Sequence, residues 1–129
     1  MKTKGFKRQR RRVRRLADRW VKPLGLSWWR VDHLYYDRRK RFKTKRGEVL
    51  FYVRADWRYA QAAIDVNLPL VAQMSDEELE EYYVHELSHI FLSEMRPAKG
   101  DGDDHEERVA TTLAKAFVWL RGAVEERKR

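Results

Sequence analysis

Three features of the sequence predict a single α+β domain. Apolar residues recur at helical spacing near both ends, aromatic and β-branched runs fill residues 26–67, and an apolar helical stretch follows Ser75. The expected architecture is an N-terminal helix, a small, mainly antiparallel three-stranded sheet, a second helix from Ser75, and a C-terminal helix. A chain of 129 residues can bury one modest core, so residues 1–129 are expected to form one domain with a basic tail at about 1–12.

Composition narrows the class. Five Trp, six Tyr and five Phe within 43% hydrophobic content argue for a folded chain rather than a disordered one. There is no cysteine, so disulfides and thiolate metal sites are excluded. No apolar stretch approaches the length of a membrane span, and the basic start is followed by no apolar signal region. A cytoplasmic location and no membrane partner are the expectations. Charge is unevenly placed: residues 1–22 hold eleven Lys or Arg against Asp18 alone, whereas residues 76–107 hold twelve acids against Arg96 and Lys99. The net charge of +9 therefore sits in the first half, where a polyanion or an acidic partner would meet it.

Taken in order, Val13, Leu16, Ala17 and Trp20 define an amphipathic helix over about 8–21, which Pro23 and Gly25 stop. Residues 26–37, 48–57 and 59–67 read as strands. The basic connection 38–47 between the first two reads as a hairpin loop whose charges keep the sheet soluble. Ala62, Ile64 and Val66 alternate onto one face. Ser75-Asp76-Glu77-Glu78 has the form of a capping box and starts a helix running to about Glu94, with Leu79, Tyr83, Leu87, Ile90 and Phe91 on its buried side. After a Gly- and Asp-rich loop, a last helix spans about 104–126, with Val109, Leu113, Phe117 and Leu120 at core spacing.

The chemistry lies in His85-Glu86-Leu87-Ser88-His89. Imidazoles four residues apart on a helix are separated by about 40° and one turn, so both reach one tetrahedral metal ion. Glu86, beside the first ligand, can polarise a water at the metal without itself being a ligand. Chance would place such a motif in a chain of this composition about 1% of the time. Catalytic zinc usually takes three protein ligands and leaves a fourth position for water, and His105, Glu106 and Glu107 are the candidates for the third. Glu106 suits a capping box with Asp103 and stands above the Val109 and Leu113 stripe. Glu107 stands above Ala110, Thr111 and Ala114, small residues that let two helices approach closely, and is the favoured ligand; its alternative role is an exposed first-turn acid.

With Ala62–Val66 before it and Glu107-Arg108-Val109-Ala110-Thr111-Thr112-Leu113-Ala114 after it, the motif resembles that of gluzincin-type zinc metallopeptidases. The similarity covers about residues 50–118 and is greatest to the small forms: minigluzincins, ImmA/IrrE-type proteins and phage-encoded metallopeptidases. It implies a zincin-like fold, Zn2+ held by His85, His89 and Glu107, and Glu86 as general base in peptide-bond hydrolysis. A protein or peptide would be the substrate, aligned along Ala62–Val66 if that strand lies at the sheet edge. Thr111 stands where larger gluzincins often place an Asp supporting a ligand histidine. No motif identifies an oxyanion stabiliser; Tyr52, Tyr59 and His33 qualify by residue type only. Two other classes fit the sequence. One is a SprT- or Spartan-like DNA-associated protease with His105 as third ligand; the other is a non-enzymatic nucleic-acid-binding module with a structural metal.

Overall fold

The computed structural model describes residues 2–42, 49–96 and 104–128. The fold is α+β: α1 (Lys2–Trp20), β1 (Arg30–Tyr36), β2 (Phe51–Asp56), β3 (Gln61–Asn67), a short α2 (Leu68–Val71), α3 (Asp76–Leu92) and α4 (Asp104–Arg127). None of the described helices is long and apolar enough to cross a membrane.

α1 begins at Lys2, so most of the expected tail at 1–12 is helical. Its apolar stripe docks as the spacing requires: Val13 and Trp20 are buried, and Phe6, Leu16 and Ala17 pack beside them. Polar contacts fix its far end. The Trp20 indole and the Arg19 guanidinium both donate to Glu80 at 2.8 Å, and Arg121 donates to the Arg19 carbonyl at 2.9 Å.

The sheet order is β1-β3-β2, with β1 parallel and β2 antiparallel to β3. Only one of its two pairings is antiparallel, and β1 and β2 are not neighbours, which corrects both the mainly antiparallel sheet and the hairpin expected at 38–47. Residues 43–48 of that connection lie outside the described residues. The hairpin is instead β2–β3, closed by a 3₁₀ turn at Trp57–Tyr59 with Ala60 in the left-handed region at φ 50°. Asn67 explains the crossing. Fully buried at the end of β3, its side chain accepts from the Lys40 amide at 2.9 Å and donates to the carbonyls of Lys40 and Val49, fastening both ends of the connection over the central strand.

Ala62, Ile64 and Val66 turn inward from β3, flanked in register by Val31, His33 and Tyr35 of β1 and by Phe51, Val53 and Ala55 of β2. Against this face packs α3. Its capping box forms as expected, with Ser75 Oγ accepting from the Glu78 amide and the Glu78 carboxylate accepting from the Ser75 amide, both at 3.2 Å. Leu79, Tyr83, Leu87 and Ile90 are buried, and Phe91 packs at the margin.

The Tyr83 hydroxyl and His33 Nε2 share a hydrogen bond at 2.8 Å, and the two rings stack. Burial lowers the His33 pKa below 6.5, with Asp32 pulling the other way, and burial pushes the Tyr83 hydroxyl up. A histidine held neutral by the fold contributes stability that is complete above its unfolded pKa and is lost as pH falls, because the unfolded chain then binds the extra proton. Unfolding free energy should therefore drop between pH 7 and 5, His33 contributing at most about 1.4 kcal/mol per pH unit. Denaturant titrations of His33→Gln should show a shallower pH slope than wild type; equal slopes would exclude His33.

α4 lies against α3, but not on the expected face. Val109 is 44% and Leu120 52% exposed, while Ala110 and Ala114 are 0% and 1% exposed. Small side chains let the two helix backbones come close, and that contact turns the larger stripe outward; Phe117 alone of the expected four reaches the core margin with Leu113 half-buried. Ala110→Leu is expected to cost about 1–3 kcal/mol through overpacking. An unchanged melting temperature would contradict this close packing.

Candidate metal centre

His85 and His89 project from α3 toward the first turn of α4, and their rings meet edge-on at 4.9 Å with their Nε2 atoms 3.1 Å apart. Glu107 comes from the facing helix. One carboxylate oxygen lies 2.8 Å from His89 Nε2 and the other 3.3 Å from His85 Nε2. Within α3 itself, His85, Glu86 and His89 offer donor atoms all within 4.8 Å of one another, and this group could hold a metal ion. Two carboxylates thus border the histidine pair. Glu107 lies 2.8 and 3.3 Å from the two Nε2 atoms, and Glu86 offers an oxygen within 4.8 Å of both rings' donor atoms.

Hydrogen bonds on the far side of each ring decide which nitrogen is free. The Thr111 hydroxyl donates to the Glu107 carbonyl at 2.9 Å, so at 3.3 Å it is left to accept from His85 Nδ1–H. His89 Nδ1–H donates to Glu106, whose carboxylate also receives two bonds from Arg96 at 2.8 and 2.7 Å. Both imidazoles accordingly present an Nε2 lone pair to the same point as Glu107. Three acceptors facing one another this closely attract a cation.

Neither chain family nor precedent adds to this geometry: no family model, no curated protein and no solved structure matches the chain.

Arg96 was not legible as part of the site, and Glu106 was weighed there only as an alternative third ligand, not as the partner of His89. The Glu106 side chain is 8% exposed and forms a fork with Arg96; the capping box expected with Asp103 lies outside the described residues. Burial opposes ionisation of Glu106, but hydrogen bonds from Arg96 and His89, with the Arg96 charge, hold its carboxyl below the usual range. An ionised Glu106 keeps the His89 proton on Nδ1. The adjacent pair Glu106-Glu107 held the signal, since neighbouring helix positions point in different directions and two acids there offer one for the histidine pair and one beside it.

His105 is exposed on α4, about 200° around the helix from Glu107. The oxyanion candidates have other partners: His33 is bonded to Tyr83, Tyr52 stacks on Phe42 at 4.9 Å, and Tyr59 is exposed in the 3₁₀ turn. β3 is the central strand, so Ala62–Val66 cannot accept an added strand; the sheet edges are β1 and β2, and β2 packs against α3.

Proposed function

We propose that the chain is a zinc-dependent metallopeptidase of the small gluzincin type, with His85, His89 and Glu107 as ligands and Glu86 as general base. The observation that carries this is the convergence of two imidazole Nε2 atoms and one carboxylate from two helices, at separations of 2.8, 3.1 and 3.3 Å. Corners of a tetrahedron about 2.05 Å from its centre lie about 3.3 Å apart, so the spacing suits zinc and its preferred N and O ligands. When bound, zinc would supply Lewis acidity toward water and a scissile carbonyl.

The remaining chemistry belongs to the side chains. Glu86, half-buried beside the ligand pair, would take the proton from the attacking water and return it to the leaving amine. Glu106 and Thr111 would keep both imidazoles in the ligating tautomer. Glu107, 36% exposed, leaves the ligand triangle open to solvent on its own side, which favours a substrate-accessible site over a closed structural one. The exposed position of His105 argues against the SprT-like ligand set. An extended protein or peptide segment would align by strand addition to the β2 edge, the one that adjoins the motif helix.

The test is elemental analysis of the purified protein together with hydrolysis of a fluorogenic peptide library. Stoichiometric zinc and chelator-sensitive cleavage are expected. Tightly bound zinc without any cleavage, in a protein whose metal cannot be reached by chelators, would favour a structural ion instead.

A further inference from the structure

We infer that the solvent face of α1 is a docking surface for nucleic-acid phosphates, an interaction that does not rest on the peptidase reading. From residue 7 to residue 20, α1 carries eight cations. The fold employs three of them. Arg10 pairs with Asp37 at 3.3 Å, Arg12 pairs with Asp76 and donates to the carbonyls of Val71 and Met74, and Arg19 bridges Glu80 and Glu125. Lys7, Arg8, Arg11, Arg14 and Arg15 are exposed, and none forms an ion pair with a described residue.

Helical geometry gathers these five into one stripe about 120° wide, opposite Val13, Leu16 and Trp20. Lys7 to Arg14 spans about 10 Å, over which duplex DNA presents about six phosphates. At its C-terminal end the stripe is tempered, because Arg15 borders a shallow cleft with Asp76 and Glu80, and Asp18 follows. Near the Arg10–Asp37 pair it is extended, because Asp37 leads directly into exposed Arg38, Lys40 and Arg41.

What fits the stripe is decided by what it lacks. An interfacial membrane helix needs a free apolar face, whereas the apolar face of α1 is buried in the core. A protein interface is normally anchored by a desolvated apolar or aromatic centre, and this face offers only charges. A uniform polyanion needs no such anchor. Four of the five side chains are arginines, whose planar fork matches phosphate oxygens.

The experiment compares wild type with the quadruple variant Lys7→Gln, Arg8→Gln, Arg11→Gln and Arg14→Gln, using a 20-base-pair duplex, phosphatidylserine vesicles and poly-glutamate as probes. Four phosphate contacts predict that wild-type affinity for the duplex falls about 100-fold between 50 and 200 mM salt. The variant should bind at least about tenfold more weakly at 50 mM, with a shallower salt slope, while its melting temperature stays close to wild type because none of these side chains forms an ion pair with a described residue. A charge-matched control, Arg30→Gln, Arg58→Gln, Lys115→Gln and Lys128→Gln, should retain wild-type affinity. Undetectable duplex binding at 50 mM, an equal loss in the control, or stronger binding to vesicles or poly-glutamate than to the duplex would each overturn the inference.

Discussion

Glu86→Gln is expected to leave zinc content and melting temperature at wild-type values while lowering peptide hydrolysis by about 10²- to 10⁴-fold, the usual contribution of a positioned general base. The amide fills the same space and accepts hydrogen bonds, but it cannot take a proton at neutral pH. All three proposed ligands survive in this variant, since His85, His89 and Glu107 meet without Glu86. Zinc measured per chain, thermal melting and turnover on the same preparation separate the possibilities. Hydrolysis at the wild-type rate would remove Glu86 from the mechanism, and loss of zinc would make it a ligand in place of Glu107.

Much of this fold could be read from local rules. The Ser75 capping box, the buried positions of α3 and the docking stripe of α1 follow from spacing alone, because each concerns a single helix. Strand order is non-local. It depends on Asn67 reaching Lys40 and Val49, and nothing in the run Gln61 to Asn67 announces that Asp65 and Asn67 are buried. Asp65 read as solvent-facing by alternation, yet it is 3% exposed and neutralised by Arg54 at 3.1 Å, with the Tyr36 hydroxyl at 3.3 Å. A strand buried on both faces belongs in the middle of a sheet, which is why the edge passed to β1 and β2.

The same limit applies at the candidate metal centre. His85 and His89 are fixed by one helix, and Glu107 was favoured by contrast with the small residues beyond it. Periodicity misled on α4, because Val109 and Leu120 are larger than Ala110 and Ala114, while close helix contact selects for small volume rather than hydrophobicity. The roles of Glu106 and Thr111 required knowing which atoms lie behind each imidazole. No spacing rule supplies that.

Metal affinity measured across variants of α4 and of Arg96 should therefore fall into three ranks. Glu107→Ala removes the proposed third ligand and should weaken zinc binding by more than about 100-fold, beyond what loss of a supporting partner causes. Glu106→Ala removes the hydrogen-bond partner of His89 Nδ1, and Arg96→Met removes the guanidinium that holds Glu106 in place; about 10- to 100-fold is expected from either. Thr111→Val should fall at the lower end of that range, because its 3.3 Å contact to His85 is longer and uncharged. His105→Ala should leave affinity unchanged. Competitive chelator titration gives all five values on one scale, with melting of the zinc-free proteins reporting any loss of fold separately. The decisive comparison is between the neighbours: if Glu106→Ala costs more than Glu107→Ala, the ligand and its support are exchanged, and if His105→Ala costs more than either, the third ligand is a histidine and the gluzincin assignment fails.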